Sequence, residues 1–338
     1  MNNCIRDVFL EREKETLSEF AFLTSNTKGR EHPYKICENR TEFQRDRDKI
    51  IHSQSFRRLM NKTQVFLAPA GDHYRTRMTH TLEVTQIARI IARALRLNED
   101  LTEAVAMGHD IGHTPFGHAG EYALQQCFDP EFSHYRQGLR VVEKLENNGR
   151  GLNLTWEVRD GIVNHTGDNV ASTLEGVIVK YADRIAYINH DIDDARRAGI
   201  LDVSDIPAWI RDALGERHSQ RISSLVSSII KASTGKGEIA MEDEAAKAMH
   251  ALREFLFERV YRNPVAKGEE GKAKELLIRL FEHYSKNPDQ MPTFYRSRCE
   301  AEGVERCACD LVAGMTDRYA IEQYNALYVP KVWRGGHL

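Results

Sequence analysis

The 338-residue chain lacks any uninterrupted apolar run near the ~18 residues that a transmembrane helix needs. Its first twenty residues, MNNCIRDVFLEREKETLSEF, are charged throughout and lack the apolar centre of a signal peptide. Cysteine is sparse: Cys4, Cys37, Cys127, Cys299, Cys307 and Cys309 form no disulfide framework in a chain of this length. Cys307 and Cys309 stand C-x-C in an apparent helix with no matching His or Cys pair nearby, so the six are read as reduced, mostly buried thiols. These absences point to a cytoplasmic protein. An excess of one charge is also missing: 47 Lys and Arg against 50 Asp and Glu give −3, which excludes a generally polycationic nucleic-acid binder. No hairpin chemistry, internal repeat or low-complexity tract is found. With 41% apolar and 29% charged residues, the chain has the composition of a soluble globular protein of one large or two ordinary domains.

What is present is helical period. Thr79 to Arg96 puts Leu82, Ile87, Ile90, Ile91 and Leu95 on one broad face. Asn98 caps a second helix running to about Asp110, broken by Gly112, Pro115 and Gly117. A third starts near His118 and stops before Asp129-Pro130, and a fourth runs from about His134 to Glu146. Ser172-Thr-Leu-Glu175 reads as a capping box opening the longest helix, to about Ala198, with Val177, Tyr181, Ile185, Ile188 and Ile192 as its apolar stripe. Pro207 and Gly215 bound a short helix. Thr234-Gly-Lys-Gly-Glu is the candidate linker, and amphipathic helices follow, broken at Asn263-Pro264, Asn287-Pro288 and Met291-Pro292. The expected fold is all-α: an N-terminal arm (1–40), a catalytic helical core (41–233), a C-terminal helical region packed on it (239–328) and a tail (329–338).

The densest polar cluster lies inside apolar helices. His80 has Val84, Ile87 and Ile91 at +4, +7 and +11. His109 and Asp110 end a helix that otherwise looks buried, and Asp183 interrupts the apolar run VIVKYADRIAYI. Buried His and Asp are costly unless paired or bound to a metal. Two imidazoles with two carboxylates suit a divalent cation such as Mn²⁺, Mg²⁺ or Fe²⁺. Singly these signals are weak, and a second His-Asp pair, His190-Asp191, shows how little the pair alone means. His190 is read as facing solvent.

The constellation is more specific. His80, His109-Asp110 and Asp183 resemble the H…HD…D signature of the HD phosphohydrolase superfamily. FRRLMNKTQVF (56–66), RTRMTHTLEVTQIAR (75–89), GHDIGHTPFGHAGEYAL (108–124), FSHYRQGLRVV (132–142), VRDGIVNHT (158–166), KYADRIAYINHDIDDA (180–195) and VERCACDLVAGMTDRYAIEQY (304–324) resemble its deoxyguanosinetriphosphate triphosphohydrolase-like branch. The likeness runs from about residue 29 to 328. It implies an all-α HD-domain bundle with additional C-terminal helices. It implies a hydrolase that converts deoxynucleoside triphosphates, dGTP among them, to deoxynucleoside and tripolyphosphate by water attack at the α-phosphorus.

The resemblance makes His80, His109, Asp110 and Asp183 ligands of one divalent ion, Mn²⁺ or Mg²⁺, with Fe²⁺ or Ni²⁺ as alternatives. It makes His118 and Glu121 the catalytic pair. Their i, i+3 spacing lets the carboxylate hold the imidazole in one tautomer, and His118 then either activates water or protonates the departing 5′-oxygen. His113, His134 and Arg77 match residues that bind the triphosphate. Tyr187 matches a residue that packs on the sugar and excludes a 2′-hydroxyl, and Asp191 with Gln64 matches the pair that binds the 3′-hydroxyl. Thr114, Tyr135 and Gly138 depart from the commoner Pro, Asn and Ser. The expected partners are the dNTP substrate, further copies of the chain in a hexamer or tetramer, and a regulatory dNTP or single-stranded DNA; no membrane partner is expected. Residues 40–77 carry nine Lys and Arg against four Asp and Glu, a local +5 suited to triphosphate steering. The competing functions are another HD phosphohydrolase, such as a 5′-nucleotidase or a phosphodiesterase, and a non-catalytic nucleotide or single-stranded-DNA sensor.

Overall fold

The computed structural model describes residues 4–64, 75–261 and 269–331. The expected break at Asn263-Pro264, Val65 and Phe66 of KTQVF, and residues 332–338 of the tail lie outside them. Among the described residues the fold is all-α; the only non-helical pairings are isolated bridges, Arg30 with Thr155 and Thr63 with Thr76. No helix among them is long and apolar enough to cross a membrane.

Helix α1 (Ile5–Thr16) buries no residue, and the arm behind it is held by polar ties. Glu13 accepts from the Thr24 backbone N–H and hydroxyl, both at 2.7 Å. Helix α2 (Glu42–Ile51) starts in a capping box between Thr41 and Gln44, and α3 (Gln54–Arg58) is capped by Ser53.

The helices that build the site follow: α4 (Arg77–Ala94), α5 (Glu99–Gly108), α6 (His118–Cys127), α7 (His134–Arg140), α8 (Trp156–Asn164) and α9 (Leu174–Arg197). The stretch expected as one helix from His134 to Glu146 is α-helical only to Arg140, then widens into a π-turn over Val141–Leu145. At 1.5 Å per residue α9 is about 36 Å long, and it packs on α4, α5 and α8. It is therefore buried on most sides: Ile185, Ile188 and Ile192 of the expected stripe are buried and Val177 and Tyr181 half-buried, while Ile178, Val179, Ala182 and Ala186 beside the stripe are buried as well. On α4 the expected face holds in part: Ile87 and Ile91 are buried together with His80, Thr81, Val84 and Ala88, whereas Leu82 and Ile90 are 48% and 44% exposed. Small residues such as Thr81 and Ala88 are part of the buried face, and a count of large apolar residues misses them.

The start of α9 also departs from expectation. Thr173, not Ser172, is the cap and accepts from Gly176 N–H. Glu175 does not return to the cap. Its Oε1 accepts from the backbone N–H groups of Phe22 at 2.9 Å and Asn98 at 3.0 Å. One buried carboxylate oxygen thus ties the arm, the N-cap of α5 and the first turn of α9 together.

Beyond α9 come α10 (Ala208–Leu214), α11 (His218–Ser233), α12 (Asp243–Leu256), α13 (Glu270–Lys286), α14 (Val304–Ala313) and α15 (Asp317–Tyr328). The Thr234–Glu238 stretch is a turn between α11 and α12, closed by Ala240 N–H donating to Ser233 Oγ at 3.0 Å. The first apolar core runs from Phe43 to Val260 and includes α12. A second joins Phe116, Ala119, Ala123 and Leu124 to α13, α14 and α15. Cys307 and Cys309 are buried in it; the other four cysteines are free and only half-buried. Two carboxylates of this layer reach back to earlier parts of the chain, one to loops and one to α7. Asp317 accepts from Thr63 N–H and Phe116 N–H, both at 2.9 Å, and Asp310 accepts from Gln137 and Arg140, each at 2.9 Å. Lys62 is buried between the layers, donating to the carbonyls of His113 and Ala313.

Candidate active site

Three helices and one loop deliver the polar cluster. Helix α4 supplies Arg77 and His80, the end of α5 supplies His109 and Asp110, and α9 supplies Asp183, Tyr187 and Asp191. The Ile111–Gly117 loop carries His113 and launches α6 at His118. Gly117 is required there: its φ is +57°, and a Cβ would lie 3.1 Å from Arg77 Nη2. Gly112 is required by contact, since a Cβ would fall 2.1 Å from Gly138 N and 2.2 Å from His134 O.

His80, His109 and Asp110 each bring one ligand atom within 4.8 Å of the others. Asp183 Oδ1 lies 3.0 Å from His80 Nε2 and 4.0 Å from His109 Nε2. His109 Nδ1 donates to Ala106 O at 2.7 Å, so its Nε2 is bare, and that buried atom has no hydrogen-bond partner. A buried lone pair without a partner is costly, and a cation relieves the cost. Both carboxylates are ionised. Burial alone would raise Asp110, but the Arg77 guanidinium and the surrounding imidazoles hold it well below the usual range. Burial would likewise raise Asp183, and its contact with His80 overrides that. A buried nitrogen and oxygen donor set of this kind fits a divalent ion.

Around this group lie the other expected residues. Arg77 Nη1 donates to Asp110 Oδ2 at 2.9 Å, both buried. His113 Nε2 is 3.3 Å from Asp110 Oδ1, and the His113 ring stacks on His134 at 4.0 Å between centroids. Burial and then the Arg77 charge push His113 well below the ordinary histidine value, so it is neutral. His118 is 84% exposed, with Nδ1 3.4 Å from Glu121 Oε2. Glu121 also accepts from His134 N–H at 2.9 Å and from its Nδ1 at 3.2 Å. Burial would raise Glu121, but the hydrogen bonds from His118 and His134 hold it well below its usual value. Asp191 and Gln64 each keep a buried oxygen without a partner. Burial pushes Asp191 well above the carboxylate range, with Asp194 adding to it. Tyr187 is half-buried, one turn along α9 from Asp183.

Two histidines were missed from the sequence. His165 is buried; its Nδ1 donates to Ile162 O at 2.7 Å, and its Nε2 is 3.4 Å from His134 Nε2. Burial, then the His109 and His134 charges, push it down to about 3. Its signal was spacing: with Val158 and Ile162 it forms an i, i+4, i+7 stripe on α8. His190 does not face solvent. It is 1% exposed, with Nδ1 3.4 Å from His80 Nδ1. Three of the cations behind the local +5 are paired with acids outside the segment: Arg47 with Glu103, Arg75 with Asp194 and Arg77 with Asp110.

Comparison with known proteins agrees with this geometry. Residues 77–188 match the HD domain family and residues 239–326 the phosphohydrolase-associated domain. A deoxyguanosinetriphosphate triphosphohydrolase-like protein of Caldanaerobacter subterraneus subsp. tengcongensis is 52% identical over 97% of this chain and 97% of that one. A protein of the same description from Desulfatibacillum aliphaticivorans is 48% identical over 96% and 98%. The chain belongs to the deoxyguanosinetriphosphate triphosphohydrolase-like family. It is a hydrolase of the HD phosphohydrolase class, and the HD domain brings with it divalent-metal binding. A crystal structure of a phosphohydrolase from Bacteroides thetaiotaomicron aligns with a TM-score of 0.52 at 16% identity, covering 84% of this chain and 70% of that one. At that identity the likeness speaks for the fold.

Proposed function

We propose that this family member hydrolyses deoxynucleoside triphosphates to deoxynucleoside and tripolyphosphate, and that His80, His109, Asp110 and Asp183 hold one divalent cation, Mn²⁺ or Mg²⁺. The observation that carries the reading is the bare, buried Nε2 of His109 beside two ionised carboxylates, with the exposed His118 and its half-buried partner Glu121 connected to it through His134 and His113. A cation held there supplies Lewis acidity and neutralises phosphate charge.

The chain's own residues do the rest. Water adds to the α-phosphorus, and the bond from phosphorus to the 5′-oxygen breaks. The nucleoside leaves with a proton on that oxygen, and the three phosphates leave together. His118 is the exposed imidazole positioned to carry a proton, and Glu121 fixes its Nδ1 so that Nε2 faces the reaction. His113 and His134, stacked and buried, line the triphosphate site beside Asp110 and Glu121. Arg77 balances Asp110 and adds a fixed positive charge. Tyr187 packs against C2′ of the sugar, and Asp191 and Gln64 bind the 3′-hydroxyl with the oxygens that now have no partner.

The test is a product assay with Mn²⁺. Each dNTP is offered singly, then all four together, then GTP. Deoxynucleoside and tripolyphosphate, without GTP turnover, are expected. Monophosphate with pyrophosphate, or free phosphate, would mean that a different bond is cut and would overturn the assignment of the His118–Glu121 pair.

A further inference from the structure

His109 and His80 face the same centre but stand in different backbone settings. His109 follows the last turn of α5 and finds a carbonyl, Ala106 O, for its Nδ1 proton. His80 sits within the first turns of α4, where the backbone carbonyls are engaged in the helix. Its Nδ1 instead faces His190 Nδ1 at 3.4 Å, and His190 Nε2 contacts the Glu83 carboxylate. Glu83 lies three residues beyond His80 on the same helix, so α4 supplies both ends of the chain of contacts and α9 the middle.

The proton positions follow from donor and acceptor chemistry. An ionised carboxylate only accepts, so His190 carries its proton on Nε2 and offers a bare Nδ1. Two bare nitrogens cannot pair, so the proton between the rings belongs to His80 Nδ1. His80 Nε2 is then bare and faces Asp183 Oδ1 at 3.0 Å, which is also an acceptor. Two acceptors at that distance need a positive charge between them, a proton in the metal-free protein and the divalent cation when it is bound. Arg75 steadies the far end, with Nε 3.3 Å from Glu83 and Nη1 3.4 Å from Asp194.

We propose that Glu83 and His190 are positioning residues that fix His80 in the Nδ1–H tautomer, so that Nε2 is presented to the divalent cation. This rests on the reading of His80 as a metal ligand. Hydrogen bonds to the far nitrogen of a metal-bound histidine orient the ring and raise its basicity.

The experiment measures Mn²⁺ affinity of the full-length, chelator-stripped protein by following free Mn²⁺ in an electron paramagnetic resonance titration. Thermal stability of the metal-free form is recorded in parallel. His190→Leu, which fills the space without an acceptor, is expected to weaken binding by ~10–100-fold. His190→Asn keeps an acceptor on the atom bonded to Cγ and is expected to stay within about threefold of the parent. Glu83→Ala is expected to fall between them, and His80→Ala is the reference for loss of the ligand itself. If His80→Ala weakens binding while His190→Leu binds like the parent, the relay is wrong and the metal site stands. If His80→Ala binds like the parent, the site reading falls and the relay with it. If Leu and Asn weaken binding equally, with equal losses of stability, His190 is a packing residue and the proposal is overturned.

Discussion

Glu175 offers the most quantitative prediction. It is fully buried at the start of α9, and its Oε1 serves two backbone donors while Oε2 has none. Burial raises its pKa from 4.5 to about 7, against the opposing pull of the Asn98 and Phe22 N–H groups. The sign follows from proton linkage. Between pH 4.5 and 7 the folded state binds more protons than the unfolded one at this site, so the contribution is most favourable below pH 4.5 and is lost as pH rises through 7. A shift from 4.5 to about 7, at 1.36 kcal/mol per unit, makes the ionised folded state cost about 3 kcal/mol above pH 7. Glu175→Gln cannot ionise. Its fixed cost, an amide in place of a carboxyl, is independent of pH and cancels when stabilities are compared across pH. The difference, parent minus Glu175→Gln, is expected to fall by about 2.5 kcal/mol between pH 5 and pH 8, measured by urea unfolding with chelator present. A flat difference would show that Glu175 keeps an ordinary pKa, and one that grows with pH would show a lowered one. The tie between the starts of α5 and α9 would then be a conventional charged one.

Other perturbations separate contact from chemistry. Gly112→Ala drives a Cβ into the α7 backbone, so it is expected to cost about 4 kcal/mol or more in thermal or denaturant unfolding. Gly138→Ser, whose nearest neighbour is Ile162 Cγ2 at 3.5 Å, is expected within about 1 kcal/mol of the parent. His118→Ala is expected to keep Mn²⁺ stoichiometry while kcat drops at least ~10²-fold, and retained turnover would remove it from the chemistry. Tyr187→Ala is expected to admit GTP as a substrate; continued exclusion in a competition assay would end the reading of Tyr187 as the sugar gate.

The sequence showed the helices whose ends carry local chemistry, such as Asn98 before α5 and Gly215 after α10. It also showed His80, His109, Asp110 and Asp183, because polar groups interrupt apolar periods there. Faces were less legible. Leu82 and Ile90 are exposed and Ala88 is buried, since α4 packs against more than one helix and close packing there rewards small residues and not hydropathy. Polar residues that serve other polar residues were least legible. Glu175 looked like half of a capping box, and its true partners, Phe22 and Asn98, are 153 and 77 residues away. His190 stood beside an expected site residue and was assigned to solvent, although its ring lies against His80 from 110 residues away. No local period encodes a contact of that range.

Asp183 and Asp191 carry the same reasoning to the chemistry. They lie two helical turns apart on one stripe of α9, and their surroundings push their ionisation in opposite directions. Asp183 is held ionised by His80 and His109 despite its burial. Asp191 is pushed up by burial and by Asp194, with Arg75 only partly opposing, and its Oδ1 has no partner. Carboxyl groups driven apart in this way divide their roles: the one held low suits a cation, and the one pushed up suits a hydroxyl. Amide substitution reads the division directly, because Asn copies the shape of a protonated Asp and not its charge. Asp183→Asn is expected to weaken Mn²⁺ binding at least ~10-fold and to abolish turnover. Asp191→Asn is expected to leave Mn²⁺ affinity unchanged and to alter KM for a dNTP by only a few-fold, since one hydrogen bond to a neutral partner is worth about 1 kcal/mol. Equal losses of metal in both variants would make Asp191 a charged member of the metal group. That result would refute the assignment of Asp191 to the sugar.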